Sequence, residues 1–273
     1  MKIFLQFCLI FLFLISTNYK VSSQCVAKLK SFAPGEKITY QAYYNLGFIW
    51  IHAGDVQFSV NQKNYGSRNV FLFEASGTSL KSYDWMYKVR DKFTSIVDIE
   101  KFNPLWFEQN TLEGGYSTHE YYTFNPKNNK VFASIENSKK AKTLDSVKTP
   151  SCTFDVLSAI YFCRTINFEQ YKKNEKIPVS TLIDGKVYSL YLRYKGKENI
   201  KVHEGTDVYR CIKFSALVVE GTIFKGGEDM FIWVTDDDNR IPVLVEAKIL
   251  IGSVKGYLNT AEGLRNASNA KIK

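Results

Sequence analysis

The chain has 273 residues, of which 45% are hydrophobic and 15% aromatic, and its formal net charge is +9. This length suits one large domain or two small ones. A basic chain can bind nucleic acid, but the lysines are scattered and the N-terminus predicts export. We therefore expect no nucleic-acid partner; accessible anions would be lipid headgroups, acidic glycans or other proteins.

The first 23 residues have the layout of a secretory signal peptide. Lys2 precedes the apolar run 3–15, and small residues leading to Ser23 suit cleavage after that position. The run is shorter than the ~20 residues that a membrane-spanning helix needs, and Gln24 before Cys25 disfavours a lipoprotein signal. We expect a soluble, exported protein in the periplasm, associated with the outer membrane, or outside the cell.

Alternation of apolar and polar residues dominates the mature chain. It runs through segments 38–44, 56–60, 188–194 and 243–251, and this period of two is typical of half-buried strands. Asp184-Gly185 between two such segments predicts a type I′ hairpin turn. The pattern predicts a mainly β fold: an antiparallel, strongly curved sheet, as a half-barrel or an open barrel or sandwich, with one or two packed helices.

The predicted domain organisation is simple. A mature N-terminal segment (24–31) precedes a single β-rich domain (32–260), and a flexible tail (261–273) follows it. Within the domain, an apolar stripe predicts a helix over about 153–165, with Ser151 or Thr153 as its cap and Asp155 in its first turn. Segment 79–89 is a weaker helical candidate.

Four cysteines remain in the mature chain: Cys25, Cys152, Cys163 and Cys211. An even number in an oxidising compartment permits two disulfides in three connectivities, and buried free thiols are the alternative. A continuous helix would separate Cys152 from Cys163 by ~16 Å of rise, so these two cannot pair with each other.

Three consecutive aspartates, 236–238, raise the question of a metal site. A calcium loop needs an oxygen ligand at position five, glycine at six and glutamate at twelve, where this chain has Arg240, Ile241 and Ala247. We predict instead a turn between two strands, formed by Asp236, Asp238, Asn239, Arg240 and Pro242, with Asn239 tolerating positive φ. No metal and no cofactor is expected.

Catalytic signatures are missing from the sequence. There is no GxSxG elbow and no HExxH helix. The three histidines, His52, His119 and His203, are widely spaced. We therefore predict no catalytic residue. The alternative is a hydrolase acting on envelope glycan or peptide, which would require two or more side chains to converge in one cleft: His52, Asp55, Asp84, Asp91, Glu113 or His119.

The aromatic content suggests ligand contacts. Tyr43, Trp50, Trp85 and Trp106 lie in the richest aromatic stretches. A large sheet core alone accounts for many aromatic residues, while a curved sheet can also leave some of them lining a groove for an acyl chain, sugar or peptide. These four are the predicted ligand-binding residues.

Four stretches in order carry a resemblance to a known family. They are "FAPGEKITYQAYYNLGFIWIHAGDVQFSV", "YKVRDKFTSIVDIEKFNPLWF", "TFDVLSAIYFCR" and "FIWVTDDDNRIPVLVEAKILIGSVKGYL". Together they resemble the exported bacterial proteins of domain-of-unknown-function (DUF) family 3108, common in Bacteroidetes-like genomes, over about residues 32–258. The matching residues mostly suit turns and strand ends: Gly35, Gly54, Asp91, Asp98, Pro104, Asp155, Trp233, Asp236, Arg240, Pro242 and Gly252.

The resemblance implies an exported single-domain β protein and brings no functional residues with it. More distantly, the chain resembles periplasmic lipoprotein-localisation carriers, in which a bent antiparallel sheet and a helical lid cover an apolar groove. We expect a non-catalytic envelope protein that binds an apolar or amphiphilic ligand, or a partner protein, in its concavity. Peripheral contact with an anionic membrane surface is a further expectation, and a purely structural or assembly module is the remaining alternative.

Overall fold

A computed structural model describes residues 29–46, 48–202, 206–219, 226–249 and 252–273. The predicted signal peptide, Cys25 and His203 lie outside these residues. In the described part, the alternating segments form strands β1 to β15: Lys37–Leu46, Ile49–Tyr65, Arg68–Ser79, Arg90–Asp98, Pro104–Glu113, Tyr116–Asn125, Lys130–Asn137, Lys140–Lys148, Thr153–Phe154, Lys176–Ile183, Lys186–Lys201, Val208–Val218, Gly227–Thr235, Pro242–Lys248 and Ser253–Glu262. The described residues contain one α-helix, α1, which spans Val156–Arg164.

All fifteen strands belong to one sheet. Its order is β8-β7-β6-β5-β4-β3-β2-β1-β15-β14-β13-β12-β11-β10-β9. Two consecutive meanders, β1–β8 and β9–β15, are therefore joined at the centre of the sheet by the antiparallel pair β1–β15. The outer strands β8 and β9 are not paired with each other, so the sheet does not close into a barrel. The predicted mainly antiparallel β fold with a packed helix is confirmed.

Helix α1 begins later than predicted. Asp155 is its N-cap, and its Oδ1 accepts hydrogen bonds from the backbone N–H of Leu157 (3.0 Å) and Ser158 (2.8 Å). Thr153 and Phe154 instead form β9, parallel to β10. The predicted start at 153 and the predicted cap at Ser151 or Thr153 are therefore wrong. Segment 79–89 forms one 3₁₀ turn within a loop.

The core joins both meanders to α1. Phe32 is fully buried, and its ring centroid lies 5.6 Å from that of Phe73 and 5.2 Å from that of Tyr161 on the helix. Tyr161 stacks on Phe73 at 3.9 Å, which fixes the helix against the first meander. Leu192 and Phe214 extend the same buried cluster into the second meander. Because aromatic side chains bury a large area each, this packing fills the space that the sheet encloses.

A buried ion pair ties the end of α1 to the N-terminal segment. Arg164 and Glu36 side chains are 4% and 1% exposed, and the guanidinium donates two hydrogen bonds to the carboxylate, of 2.6 and 2.8 Å. The same guanidinium donates to the carbonyl oxygens of Ser31 (2.9 Å) and Asn239 (3.0 Å). The pair thus holds together three segments that are distant in sequence.

The two meanders also meet where the sheet remains open. The β10–β11 turn has positive φ at both Asp184 (49°) and Gly185 (70°), as a type I′ turn requires. The Gly185 N–H donates to the Tyr122 hydroxyl (3.1 Å), and that hydroxyl donates to the buried carboxyl group of Glu120. A side chain at 185 would place its Cβ 2.8 Å from Ile135, so glycine permits this close approach.

The C-terminal segment, expected to be flexible, is hydrogen bonded in the structure. Ala270 is fully buried, and its carbonyl accepts from the backbone N–H of Arg210 (2.8 Å). The Ile272 N–H donates to the Val208 carbonyl (2.8 Å). The chain end therefore lies along the start of β12.

Candidate binding surface at the apolar end

The four predicted ligand-binding aromatic residues lie in different surroundings. Tyr43 is buried, and Trp106 packs in a small separate cluster. Trp50 is partly buried under the Lys255 ammonium, 4.6 Å from its ring centroid. Trp85 is 82% exposed. Of the four, only Trp85 is presented to solvent.

The predicted ligand-binding interior is filled by the protein's own side chains. Helix α1 packs its buried side chains into this core. In the described residues a cavity of about 460 Å³ lies near the ends of β4, β6 and β8 and is lined largely by loop residues of 100–104, 124–131 and 149–153. None of the four aromatic candidates lines it. The sheet interior therefore gives no support to a carried ligand.

Large hydrophobic side chains are instead exposed at the other end of the sheet. Phe48 (104% exposed) and Ile49 (66%) lie where β1 turns into β2, and Trp85 (82%), Met86 (48%) and Tyr87 (48%) lie in the loop between β3 and β4. Because β1 and β3 are both antiparallel to β2, these two connections lie at the same end. We call these five residues the apolar end.

The loop that carries Trp85 is held in place by polar contacts. Asp84 accepts hydrogen bonds from Arg90 Nη2 (2.5 Å) and Ser79 Oγ (2.5 Å), and these bonds lower the pKa of Asp84. The Leu80 N–H donates to the Ala53 carbonyl of β2 (2.9 Å). Fixing the loop from both sides reduces the ordering cost of any contact that Trp85 makes.

Two carboxyl groups lie close to this loop. Asp91 accepts from the Leu112 N–H (3.2 Å), and burial together with the charge of Glu113 raises the pKa of Asp91 to about 7. Burial also raises the pKa of Glu113. The Tyr87 ring packs on Gly114, where a Cβ would collide with it, and burial together with both carboxyl charges raises the pKa of Tyr87. The loop therefore rests on two carboxyl groups whose pKa values are both raised.

The contacts of the other hydrolase candidates do not include Asp91 or Glu113. His52 pairs with Asp55 at 2.8 Å, and His119 pairs with Glu108 at 2.8 Å. Asp84 is engaged by Arg90. Among the described residues, no group of three or more His, Cys, Asp or Glu side chains could hold a metal ion. Of the six predicted candidates, His52 and Asp55 form one pair, and Asp91 and Glu113 come together as another.

The three aspartates lie in the turn between β13 and β14. Asp236 faces Lys197 (3.0 Å) and Arg210 (3.5 Å). Asp237, which we did not single out, organises the turn: its Oδ1 accepts from Thr235 Oγ1 (2.7 Å) and from the Asn239 N–H (3.0 Å).

Positive φ in this turn belongs to Arg240 (51°) and not to Asn239 as expected. Asn239 is fully buried instead, and its side chain bonds to the backbone of Asn266 in both directions, at 3.0 Å each. Asn239 therefore joins the turn to the C-terminal segment, and Pro242 begins β14.

Sequence reasoning missed Phe48, Ile49, Met86 and Tyr87. The available signal was an apolar run that continues through a turn, in "GFIWI" and "DWMY". Turns are ordinarily polar, so consecutive apolar residues there indicate exposed side chains with a separate role.

The fold of the described residues defines the class: a β-barrel-like protein, mostly strand, with one α-helix packed against a sheet that does not close into a barrel. The chain belongs to the family described as protein of unknown function (DUF3108), whose model matches residues 39–259. The chain is similar to a crystal structure of a β-barrel-like protein of domain of unknown function DUF1849 from Brucella abortus. The two share 10% sequence identity with a TM-score of 0.54, over 83% of this chain and 96% of that one, which is a likeness of fold. No curated protein matches the chain at a significant level. Among the described residues, no helix is long and apolar enough to cross a membrane.

Proposed function

We propose that this protein is an exported envelope protein that acts without catalysis by binding lipid-like amphiphiles, and that it binds them through the apolar end. The observation that carries this proposal is the exposure of five large hydrophobic side chains at one end of the sheet. Exposed apolar clusters on soluble domains mark interaction sites. Because side chains fill the core, an amphiphile can reach the apolar end without any rearrangement of the protein, whereas entry into the core would require one.

The expected affinity contribution follows from the exposed area. Fully burying one large hydrophobic side chain contributes about 1.5–3 kcal/mol, which corresponds to roughly 10- to 100-fold in affinity. Phe48 and Trp85 are the most exposed members of the apolar end. Replacing both with serine should therefore abolish measurable binding.

Zwitterionic micelles of dihexanoylphosphatidylcholine provide the test. Trp85 is the most exposed of the four tryptophans, so binding should shift the emission of the wild type to shorter wavelength and leave that of Trp85→Phe unshifted. The Phe48→Ser/Trp85→Ser variant should not co-elute with micelles. Leu144→Ser removes a 76% exposed leucine of β8 and should bind as the wild type does. Equal micelle binding by the folded double variant would refute the proposal.

Export has its own measurement. Expression of the full chain in a Gram-negative host should yield a periplasmic or surface protein whose intact mass begins at Gln24. A protein that retains residues 1–23 in the cytoplasm would contradict export and leave amphiphile binding to be judged on its own test.

A hydrolase remains the second candidate, because Asp91 and Glu113 come together with raised pKa values, as a general acid requires. Release of soluble fragments from purified peptidoglycan by the wild type, and its loss in Asp91→Asn, would favour this candidate. Equal release by both proteins would exclude a role for the pair.

A further inference from the structure

The chemistry around the apolar end identifies what it contacts. Lys81 and Lys88 bracket Trp85, Met86 and Tyr87, and both lysines are exposed. The acidic residue between them, Asp84, is already neutralised by Arg90 at 2.5 Å. The loop therefore presents apolar side chains flanked by two positive charges.

Neighbouring strands at the same end carry further neutralised acids. Asp229 faces Lys248 at 3.4 Å, and Glu246 faces Lys255 at 3.7 Å. Burial raises the pKa of Asp91 to about 7, so a fraction of that carboxyl group is uncharged near neutral pH. These pairings reduce the negative charge around the loop, which itself carries Lys81 and Lys88.

The shape of the apolar end favours a membrane, and not a single bound molecule, as its partner. Small ligands are held in concave sites that enclose most of their surface, whereas Phe48 is 104% exposed and Trp85 82% exposed on projecting connections. Projecting apolar side chains with flanking lysines suit the bilayer interface, where the apolar groups enter the acyl boundary and the ammonium groups meet lipid phosphates.

Resting on the proposed amphiphile binding, we infer that the partner of the apolar end is the surface of an anionic lipid bilayer. Phe48, Ile49, Trp85, Met86 and Tyr87 enter the interface, and Lys81 and Lys88 contact the headgroups. In this orientation the end of the sheet that carries the β1–β2 and β3–β4 connections contacts the membrane. The cavity lined by 100–104, 124–131 and 149–153 then faces away from the lipid.

Large unilamellar vesicles test this partner directly. The wild type should sediment with vesicles containing 30% phosphatidylglycerol and much less with pure phosphatidylcholine vesicles, and added salt should weaken the former. One basic residue near an anionic surface is worth about fivefold in affinity. Lys81→Gln/Lys88→Gln should therefore bind the anionic vesicles about 25-fold more weakly and still bind zwitterionic micelles.

A matched control separates local contact from overall charge. Lys140→Gln/Lys142→Gln changes two exposed lysines of β8 and alters the net charge equally, so it should bind anionic vesicles nearly as the wild type does. Equal loss in both double variants, no preference for anionic vesicles, or no vesicle binding would overturn the bilayer assignment. Those results leave micelle binding and its loss in Phe48→Ser/Trp85→Ser intact, so the proposed function fails only on its own test.

Discussion

Ionisation of Glu120 should destabilise the contact that joins the two meanders at the open side of the sheet. Glu120 is 2% exposed, and burial raises its pKa from 4.5 to about 7, with a further contribution from the nearby charge of Asp184 and an opposing one from the Tyr122 hydrogen bond. At 1.36 kcal/mol for each pH unit between 4.5 and about 7, this difference in pKa corresponds to about 3 kcal/mol. The replacement Glu120→Gln keeps the shape of the protonated carboxyl group and removes its ionisation.

The direction in which the stability changes with pH follows from proton linkage. Because the folded protein holds the Glu120 proton more tightly than the unfolded chain does, this group's contribution is fully present below about pH 4.5. It is lost as pH rises to about 7. Glu120→Gln should therefore match the wild type near pH 4.5 and exceed its free energy of unfolding at pH 8 by up to about 3 kcal/mol.

Urea unfolding curves at pH 4.5, 6, 7 and 8 provide the measurement. Other acids with raised pKa values, the partly buried Asp91 among them, also change the stability with pH, so the difference between variant and wild type is the relevant quantity. Glu136→Gln, at an exposed position of the neighbouring strand β7, serves as the control and should follow the wild type. A pH-independent difference, or a Glu120→Gln protein less stable than the wild type at pH 8, would refute the reasoning.

Three further outcomes follow from buried polar groups. Arg164→Met leaves Glu36 as an uncompensated buried charge and should lower the free energy of unfolding by about 3–5 kcal/mol. The double variant Arg164→Met/Glu36→Gln should recover most of this loss. A cost below about 1 kcal/mol for the single variant, measured by urea unfolding, would contradict the expectation. Asp155→Ala removes the cap of α1 and should cost about 2 kcal/mol, measured in the same way, whereas an unchanged midpoint would show that the cap contributes little. Cys163 and Cys211 are free thiols whose pKa burial raises to about 12, so a thiol reagent should react with neither in the folded protein. In exported, unreduced protein it should react with only two thiols after denaturation, because we predict that the other two mature cysteines form a disulfide; four reactive thiols would exclude that bond.

Local patterns predicted the local structure well. The Asp184-Gly185 pair specified its turn because few residues tolerate positive φ at both positions. The alternating segments specified strands, and the apolar stripe specified α1. The cap of α1 was assigned wrongly because β9 pairs with β10, and Thr153 lies opposite Ser180 in that pair. A partner 27 residues away is invisible to a local pattern.

Long-range partners account for the remaining differences. The buried role of Asn239 depends on Asn266, and the order of the C-terminal segment depends on its pairing with β12. The location of the candidate site also depended on packing. The sequence identified Trp85 as one aromatic residue among many, but only the fold shows that the core is filled elsewhere and that Trp85 is left outside it.

The sheet order has a consequence for chain connectivity. If the ends of β15 and β1, which lie together at the Glu262–Lys37 pair, were linked and the chain opened between β8 and β9, all fifteen strands would follow one another in sequence across the sheet. Such a circular permutant would replace the longest-range strand pairing of the native chain with a local hairpin. Folding rates fall as contacts become more distant in sequence. The placement of the first and last strands at the centre of the sheet therefore makes β1–β15 the pairing that closes the longest stretch of chain, and the permutant should fold faster than the native chain.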